Sequence, residues 1–349
     1  MENSTVSFYF NLTMFVNIGH YRYPAFVFCF LLYSFIVYAN FVIILVITQE
    51  TPLHEPMYMF IAMLCVNSLY GSTGFFPRFL MDLLSDTHLF SRPACFTQIY
   101  VIYSYACYEM TILGIIAYDR YAAVCHPLHY HSKMNSKAAL KLALWAWIFP
   151  TAGVIVCISL SARLPLCGSK IQKVFCANWN VVKLSCVSNV VNNICGMLLT
   201  ISTIFFPLFY VLYTYLRIVI VCWKSSAEFR GKVLQSCLPH VISFVIYSIT
   251  VFCDVALSRY NIEEVNPFAA VILSLEFVII PPLLNPLVYG LKLPEIRRHI
   301  LRMASRYKIM PEKLSLRTSL LQVRWFDSPS LHVEVFSGNI LNPKLLMMC

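Results

Sequence analysis

Long charge-poor apolar runs, separated by short segments where basic and polar residues gather, recur along the chain. A helix needs about 20 apolar residues to cross ~30 Å of hydrocarbon, and the pattern predicts seven such spans. They run from Phe26 to Thr48, Met57 to Pro77, Ala94 to Tyr118, Leu142 to Ala162, Val190 to Leu216, Val233 to Cys253 and Pro267 to Leu291. Glu109 alone interrupts the third and Glu276 the seventh. Pro150, Pro207, Pro239 and the pair Pro281 and Pro282 fall inside spans, which neighbouring helices in a bundle tolerate. After the seventh span, Leu293, Ile296, Ile300 and Met303 are set against Arg297, Arg298, Arg302 and Arg306. That pattern predicts a short amphipathic helix lying along the membrane surface. The expected fold is therefore an all-α membrane protein, a seven-transmembrane helix bundle with one further amphipathic helix. Its expected organisation is an extracellular N-terminus (1–25), the bundle (26–291), the amphipathic helix (292–310) and a mobile cytoplasmic tail (311–349).

Composition supports the membrane class. With 59% hydrophobic and 12% charged residues, the 349-residue chain has too few charges to cover a soluble surface. Lys and Arg in the short loops set orientation. Arg120, Lys133, Lys137 and Lys141 lie between spans three and four, Lys224, Arg230 and Lys232 between five and six, and Arg297, Arg298 and Arg302 after the seventh. These segments are expected to be cytoplasmic and the N-terminus extracellular. The sequons at Asn3 and Asn11 precede the first span, on the side where glycosylation takes place. No basic leader or cleavage site precedes that span, so it is expected to act as an uncleaved signal anchor. The formal charge of +10 requires no nucleic acid partner, because the basic excess gathers where anionic lipid is met.

Of fourteen cysteines, many sit within spans as small apolar residues, but Cys95, Cys167, Cys176 and Cys186 fall on the expected outer side. An oxidising compartment permits disulfides among them, and four cysteines allow three pairings. A zinc site is the competing reading; the loop contains no histidine and no close CxxC spacing.

Asp119 and Arg120 stand side by side at the cytoplasmic end of the third span. Such a pair either anchors a helix end at the interface or holds the arginine until the bundle rearranges. Near the end of the seventh span, Asn285, Pro286 and Tyr289 form the order NPxxY, and Asn40 lies midway along the first.

Seven spans, an outer N-terminus, the triplet Asp119, Arg120 and Tyr121, and NPxxY together resemble the rhodopsin-like G-protein-coupled receptors. The segments LHEPMYMF (53–60), AYDRYAAVCHPLHY (117–130), SCLPHV (236–241) and PPLLNPLVYG (281–290) narrow the resemblance to the odorant receptor family, over residues 20 to 305. The style of the loop LPLCGSKIQKVFCANWNVVKLSC is most similar to that of fish odorant receptors. The resemblance implies an odorant cavity in the outer half of the bundle and coupling to a stimulatory, olfactory-type G protein that raises cyclic AMP. It further implies pairing of Cys95 with Cys176 and of Cys167 with Cys186. Asp119, Arg120 and Tyr121 are implied at the coupling end, and Asn285, Pro286 and Tyr289 at an activation hinge. Two departures stand out. Asn67 and Ser68 occupy the place where the second span usually has an acid, which puts a sodium site at Glu109 in doubt. The chain also continues to Cys349, beyond the usual end.

Ligand contacts are expected where polar residues share a helical face. Tyr103, Ala106 and Cys107 share one face of the third span in its outer half, although tight helix packing explains the small residues equally well. His240, Ser243, Tyr247, Asp254 and Ser258 form a stripe on the sixth, which in a membrane bundle faces inward. Interhelical hydrogen bonding explains His240; Tyr247, Asp254 and Ser258 are candidates for ligand contact. Arg259 follows, either paired with Asp254, Glu263 or Glu264, or holding a carboxylate odorant, so an amino acid or carboxylic acid is the expected ligand class. No residue pattern calls for a cofactor. A transporter would show inverted repeats or several midplane charges, and an intramembrane enzyme HExxH or GxSxG; none is present.

Overall fold

The computed structural model describes residues 8–14, 21–259, 267–303 and 305, and of 256–259, 267–270 and 274 the backbone alone. Asn3, the side chains of Ser258 and Arg259, and the expected tail therefore lie outside the described residues. Among the described residues, seven helices are long and apolar enough to span a membrane. They are α1 (Arg22–Gln49), α2 (Pro56–Leu84), α3 (Arg92–Cys125), α4 (Ser136–Ala162), α5 (Val190–Trp223), α6 (Ala227–Arg259) and α7 (Pro267–Lys292). An eighth helix, α8, covers residues 294–303. Residues from Arg302 onward form a separate unit, of which little is described.

Most helices run beyond the apolar stretches that announce them. The helix α2 continues through Pro77 to Leu84, because Arg78 reaches Asp82 one turn on with two hydrogen bonds of 2.9 and 2.8 Å. Such a fork satisfies both charges outside the hydrocarbon. The helix α3 extends to Cys125, which puts Asp119 and Arg120 inside its last turns rather than beyond them.

Burial is inverted relative to a soluble protein. Phe28, Leu31 and Tyr38 of α1 and Phe206, Phe209 and Leu212 of α5 are exposed, whereas Asn40, Asn67, Ser68 and Glu109 are buried between helices. Lipid is as apolar as leucine, so packing and interhelical polar contacts hold such a bundle together. The central helix is α3, fully burying Glu109, Met110, Ile112, Leu113 and Ala117. Its neighbour α2 approaches so closely that a Cβ on Gly71 would fall 2.4 Å from the Tyr105 ring, so only glycine fits there. The Tyr105 hydroxyl in turn donates to the Phe277 carbonyl at 3.2 Å, joining α3 to α7.

Pro207 leaves its mark on α5. It offers no N–H and its ring crowds the carbonyl four residues earlier, and the turn just before it, Ile201–Phe205, widens into a π-helix. Such local widening commonly accompanies functional sites.

A small sheet caps one end of the bundle, an addition to the all-helical expectation. The strands β1 (Tyr9–Leu12), β2 (Leu89–Ser91) and β3 (Lys170–Ile171) run in the order β2-β1-β3, β1 antiparallel to β2 and parallel to β3. Phe10 and Leu12 point into a cluster with Phe90, Ile99 and Ile171, while Tyr9 and Asn11 face outward. Strands of two to four residues are too short to show a period-two pattern. Disulfides join Cys95 to Cys176 and Cys167 to Cys186 at this same sheet end. The first ties the loop after α4 to the start of α3.

Candidate functional site

Beneath the sheet end lies a cavity of about 140 Å³ among α3, α4, α5, α6, α7 and the loop after α4. Tyr103, Ala106, Cys107 and Asp254 line it, as does Phe277. The first three meet there because α3 presents one face at helical spacing to the gap between α5 and α6. Tyr247 is not among the lining residues; it is fully buried, and its hydroxyl donates to the Ala106 carbonyl at 2.7 Å, fixing α6 against α3 behind the wall. The widened turn of α5 brings Thr203 to the wall, its hydroxyl bonded to the Leu199 carbonyl at 2.7 Å.

The partner of Asp254 is a residue that periodicity does not reveal. Lys173, from the loop after α4, places Nζ 2.6 Å from Asp254 Oδ1, and its side chain is 0% exposed against 22% for the aspartate. The Phe175 ring lies 5.2 Å from the ammonium. Lys173 stands three residues before Cys176, whose bond to Cys95 draws this stretch of loop over the bundle. That proximity to a tethered cysteine is the signal in the sequence that points to it. Asp254 accordingly meets the cavity already neutralised by a buried cation. Asn192, Asn193 and Thr200 of α5 add polar atoms to the wall, and no charge or periodicity marked them either.

Further along the bundle, Glu109 is completely buried. Asn67 Nδ2 donates to one of its oxygens at 2.7 Å and Asn285 Nδ2 to the other at 2.6 Å, so one carboxylate clamps α2, α3 and α7 together. Asn40 Nδ2 reaches the Pro282 carbonyl at 2.9 Å and ties in α1. The Asn67 and Asn285 amides each give one N–H to Glu109, so the clamp accounts for this buried carboxylate without a sodium ion. Among the described residues no group of three or more His, Cys, Asp or Glu is placed to hold a metal. Glu109→Gln is expected to destabilise the receptor by about 1–3 kcal/mol, because the new amide can accept from only one of the two asparagines and turns N–H toward the other. Thermal unfolding of the purified receptor measures this; an unchanged midpoint would mean that the clamp contributes nothing.

The last turns of α3 hold the charged pair. Arg120 bonds Asp119 Oδ2 through Nε at 2.9 Å and through a second guanidinium nitrogen, and Tyr130 donates its hydroxyl to Asp119 Oδ1 at 2.8 Å. Burial, with the Asp119 charge next, pushes the Tyr130 phenol above its usual range, so it remains a donor at physiological pH. Tyr121 contacts His126 Nε2 at 3.2 Å. Tyr289 is buried in α7, and His240 bridges α6 to Tyr215 of α5 at 2.6 Å and to the Leu113 carbonyl of α3 at 2.8 Å.

A seven-helix bundle with a buried carboxylate clamp at its centre, an Asp-Arg-Tyr triplet at one end of α3 and Asn-Pro within α7 is a rhodopsin-like G-protein-coupled receptor. The crystal structure of squid rhodopsin shares this fold, with a TM-score of 0.68 and 17% identity over 82% of this chain and 86% of its own. A family model for olfactory receptors matches residues 28–307. Human olfactory receptor 6N1 is 31% identical over 283 residues, covering 80% of this chain and 89% of its own. Human olfactory receptor 10A7 is 31% identical over 308 residues, covering 86% and 95% respectively. The chain belongs to the olfactory receptor family. It is a multi-pass receptor of the plasma membrane and not an enzyme, and its partners are an odorant and a G protein. The narrower likeness to fish receptors is not borne out by these relatives, which are human.

Proposed function

We propose that a small odorant binds in the cavity lined by Tyr103, Ala106, Cys107 and Asp254 and that the bound receptor activates a stimulatory G protein, raising cyclic AMP. The sheet end is the extracellular end in this reading. The sequon at Asn11 on an outward strand position supports it, as do the disulfides beside it and the basic loops at the opposite end. Asn3 is the second proposed glycosylation site.

The observation that carries the reading is the cavity itself: enclosed by five helices and a tethered loop, it offers an apolar wall with a few convergent polar groups, as small-molecule sites do. Arg259 is retained as the proposed anchor of a carboxylate odorant, and an amino acid or carboxylic acid as the proposed class. Asp254, 22% exposed at the wall and already paired with Lys173, offers a carboxylate oxygen as a hydrogen-bond acceptor to the ligand. Asp119, Arg120 and Tyr121 serve as the coupling end, and Asn285, Pro286 and Tyr289 as the hinge that communicates with Glu109.

The test is a cyclic AMP assay in cells expressing the chain, challenged with amino acids, short carboxylic acids, amines and neutral volatiles. Gly196 supplies the control. It lines the cavity, and a Cβ built there meets nothing within 4 Å, so the side chain of Gly196→Leu starts in open space at the wall and improves helix propensity. The variant is expected to reach the cell surface and to lose the response to any agonist of the parent. An unchanged response would place the odorant elsewhere.

A further inference from the structure

Where α4 and α5 run antiparallel near the sheet end, three contacts form a ladder. Asn192 Nδ2 donates to Ser161 Oγ at 3.3 Å, the Cys157 and Cys195 sulfurs lie 2.9 Å apart, and Gly153 faces Leu199 so closely that a Cβ there would fall 2.5 Å from the leucine. The rungs repeat every three or four residues on each helix, one helical turn apart, so the contact above and the contact below fix the register of the middle one. Both thiols are free, and Cys157 also lines the cavity. Two sulfurs at 2.9 Å stand about 0.9 Å from disulfide bonding distance.

We propose that Cys157, at the cavity wall, and Cys195 behind it are a redox-active dithiol, oxidised by hydrogen peroxide to a disulfide that locks α4 to α5. The peroxide enters through the cavity, so Cys157, which lines it, is the sulfur oxidised first. Its thiolate bonds to one peroxide oxygen, the O–O bond breaks, and the departing hydroxide takes up a proton as water, leaving Cys157 as a sulfenic acid. The sulfur of Cys195 then displaces the sulfenic hydroxyl. The S–S bond forms, the S–O bond breaks, and the hydroxyl leaves as a second water with the Cys195 proton. Two thiols are oxidised and one peroxide is reduced to two waters. The bond would hold Gly196 and Thr200, which follow Cys195 on α5 and line the cavity, at a set distance from α4.

The proposal goes beyond odorant binding and is tested without an agonist. Full-length receptor in membranes is treated with hydrogen peroxide or with dithiothreitol, its free thiols are alkylated, and it is digested without reduction for mass spectrometry. Peroxide is expected to produce a linked Cys157–Cys195 peptide and to abolish alkylation of both residues, and dithiothreitol to reverse it. In Cys195→Ser the linked peptide is expected to be lost and Cys157 to be trapped as a sulfenic acid by dimedone. The Cys95–Cys176 peptide reports in every sample that the protein is folded. If both thiols remain fully alkylated after peroxide while that peptide is intact, or if Cys157 is found linked to Cys107 instead, the dithiol assignment is wrong.

Discussion

Asp254→Ala is expected to lower the stability of the receptor by about 3–5 kcal/mol, the cost of stranding a buried charge. Lys173 has no exposed side-chain surface, and its Nζ lies 2.6 Å from the aspartate. Without that carboxylate the ammonium is left, among the described residues, with the face of Phe175, 5.2 Å away. A cation–π contact contributes roughly 0.5–2 kcal/mol, too little to offset the lost counter-charge. Replacing both partners, Lys173→Met with Asp254→Asn, is expected to recover most of the loss, because an ion pair exchanged for neutral groups of similar size is often nearly neutral. Thermal unfolding of the detergent-purified receptor and surface expression read the effect. An Asp254→Ala receptor as stable as its parent would mean that the pair is dispensable.

Arg120→Ala is expected to abolish odorant-driven cyclic AMP while surface expression stays near that of the parent. Asp119 is buried, so loss of the guanidinium carries a cost, but that cost is limited because the carboxylate keeps the Tyr130 hydroxyl at 2.8 Å and lies near the end of a spanning helix, where charge is better tolerated. What disappears is the cation that an activated bundle would present to the G protein. Surface labelling and the cyclic AMP response, taken on the same cells, separate the two roles. Normal signalling by a well-expressed variant would falsify the switch and leave the pair as an interfacial anchor.

The helices and their number were legible because lipid imposes a one-dimensional rule: each crossing needs its own run of apolar residues, whatever packs beside it. Their ends were less legible. Arg78 with Asp82 and Arg120 with Asp119 pair within their own helices, so α2 and α3 continue through charges that hydropathy reads as a stop. The strands of the sheet had no signal at all, since β1, β2 and β3 exist only because the loop after α4 and the N-terminal segment meet there.

The site divides along the same line. Local spacing placed Tyr103, Ala106 and Cys107 on one face of α3, and they line the cavity together. Spacing also put Tyr247 and Asp254 on one stripe of α6, yet Tyr247 is spent on the Ala106 carbonyl while Asp254 reaches the wall. Helical periodicity says which residues share a side, and depth along the axis says which of them finds a partner first.

The chain alone established the seven crossings, the membrane class, the motifs of the receptor family and the cysteines available for cross-linking. These are properties of short windows, set by the thickness of the bilayer and the pitch of a helix. Pairings between distant segments were decided by the fold. Lys173 meets Asp254 across 81 positions and Asn285 meets Glu109 across 176, and Cys157 meets Cys195 only because two antiparallel helices share a register. A buried charge takes whichever counter-group packing brings within hydrogen-bonding distance, and that choice is made in three dimensions among residues that carry no local mark of it.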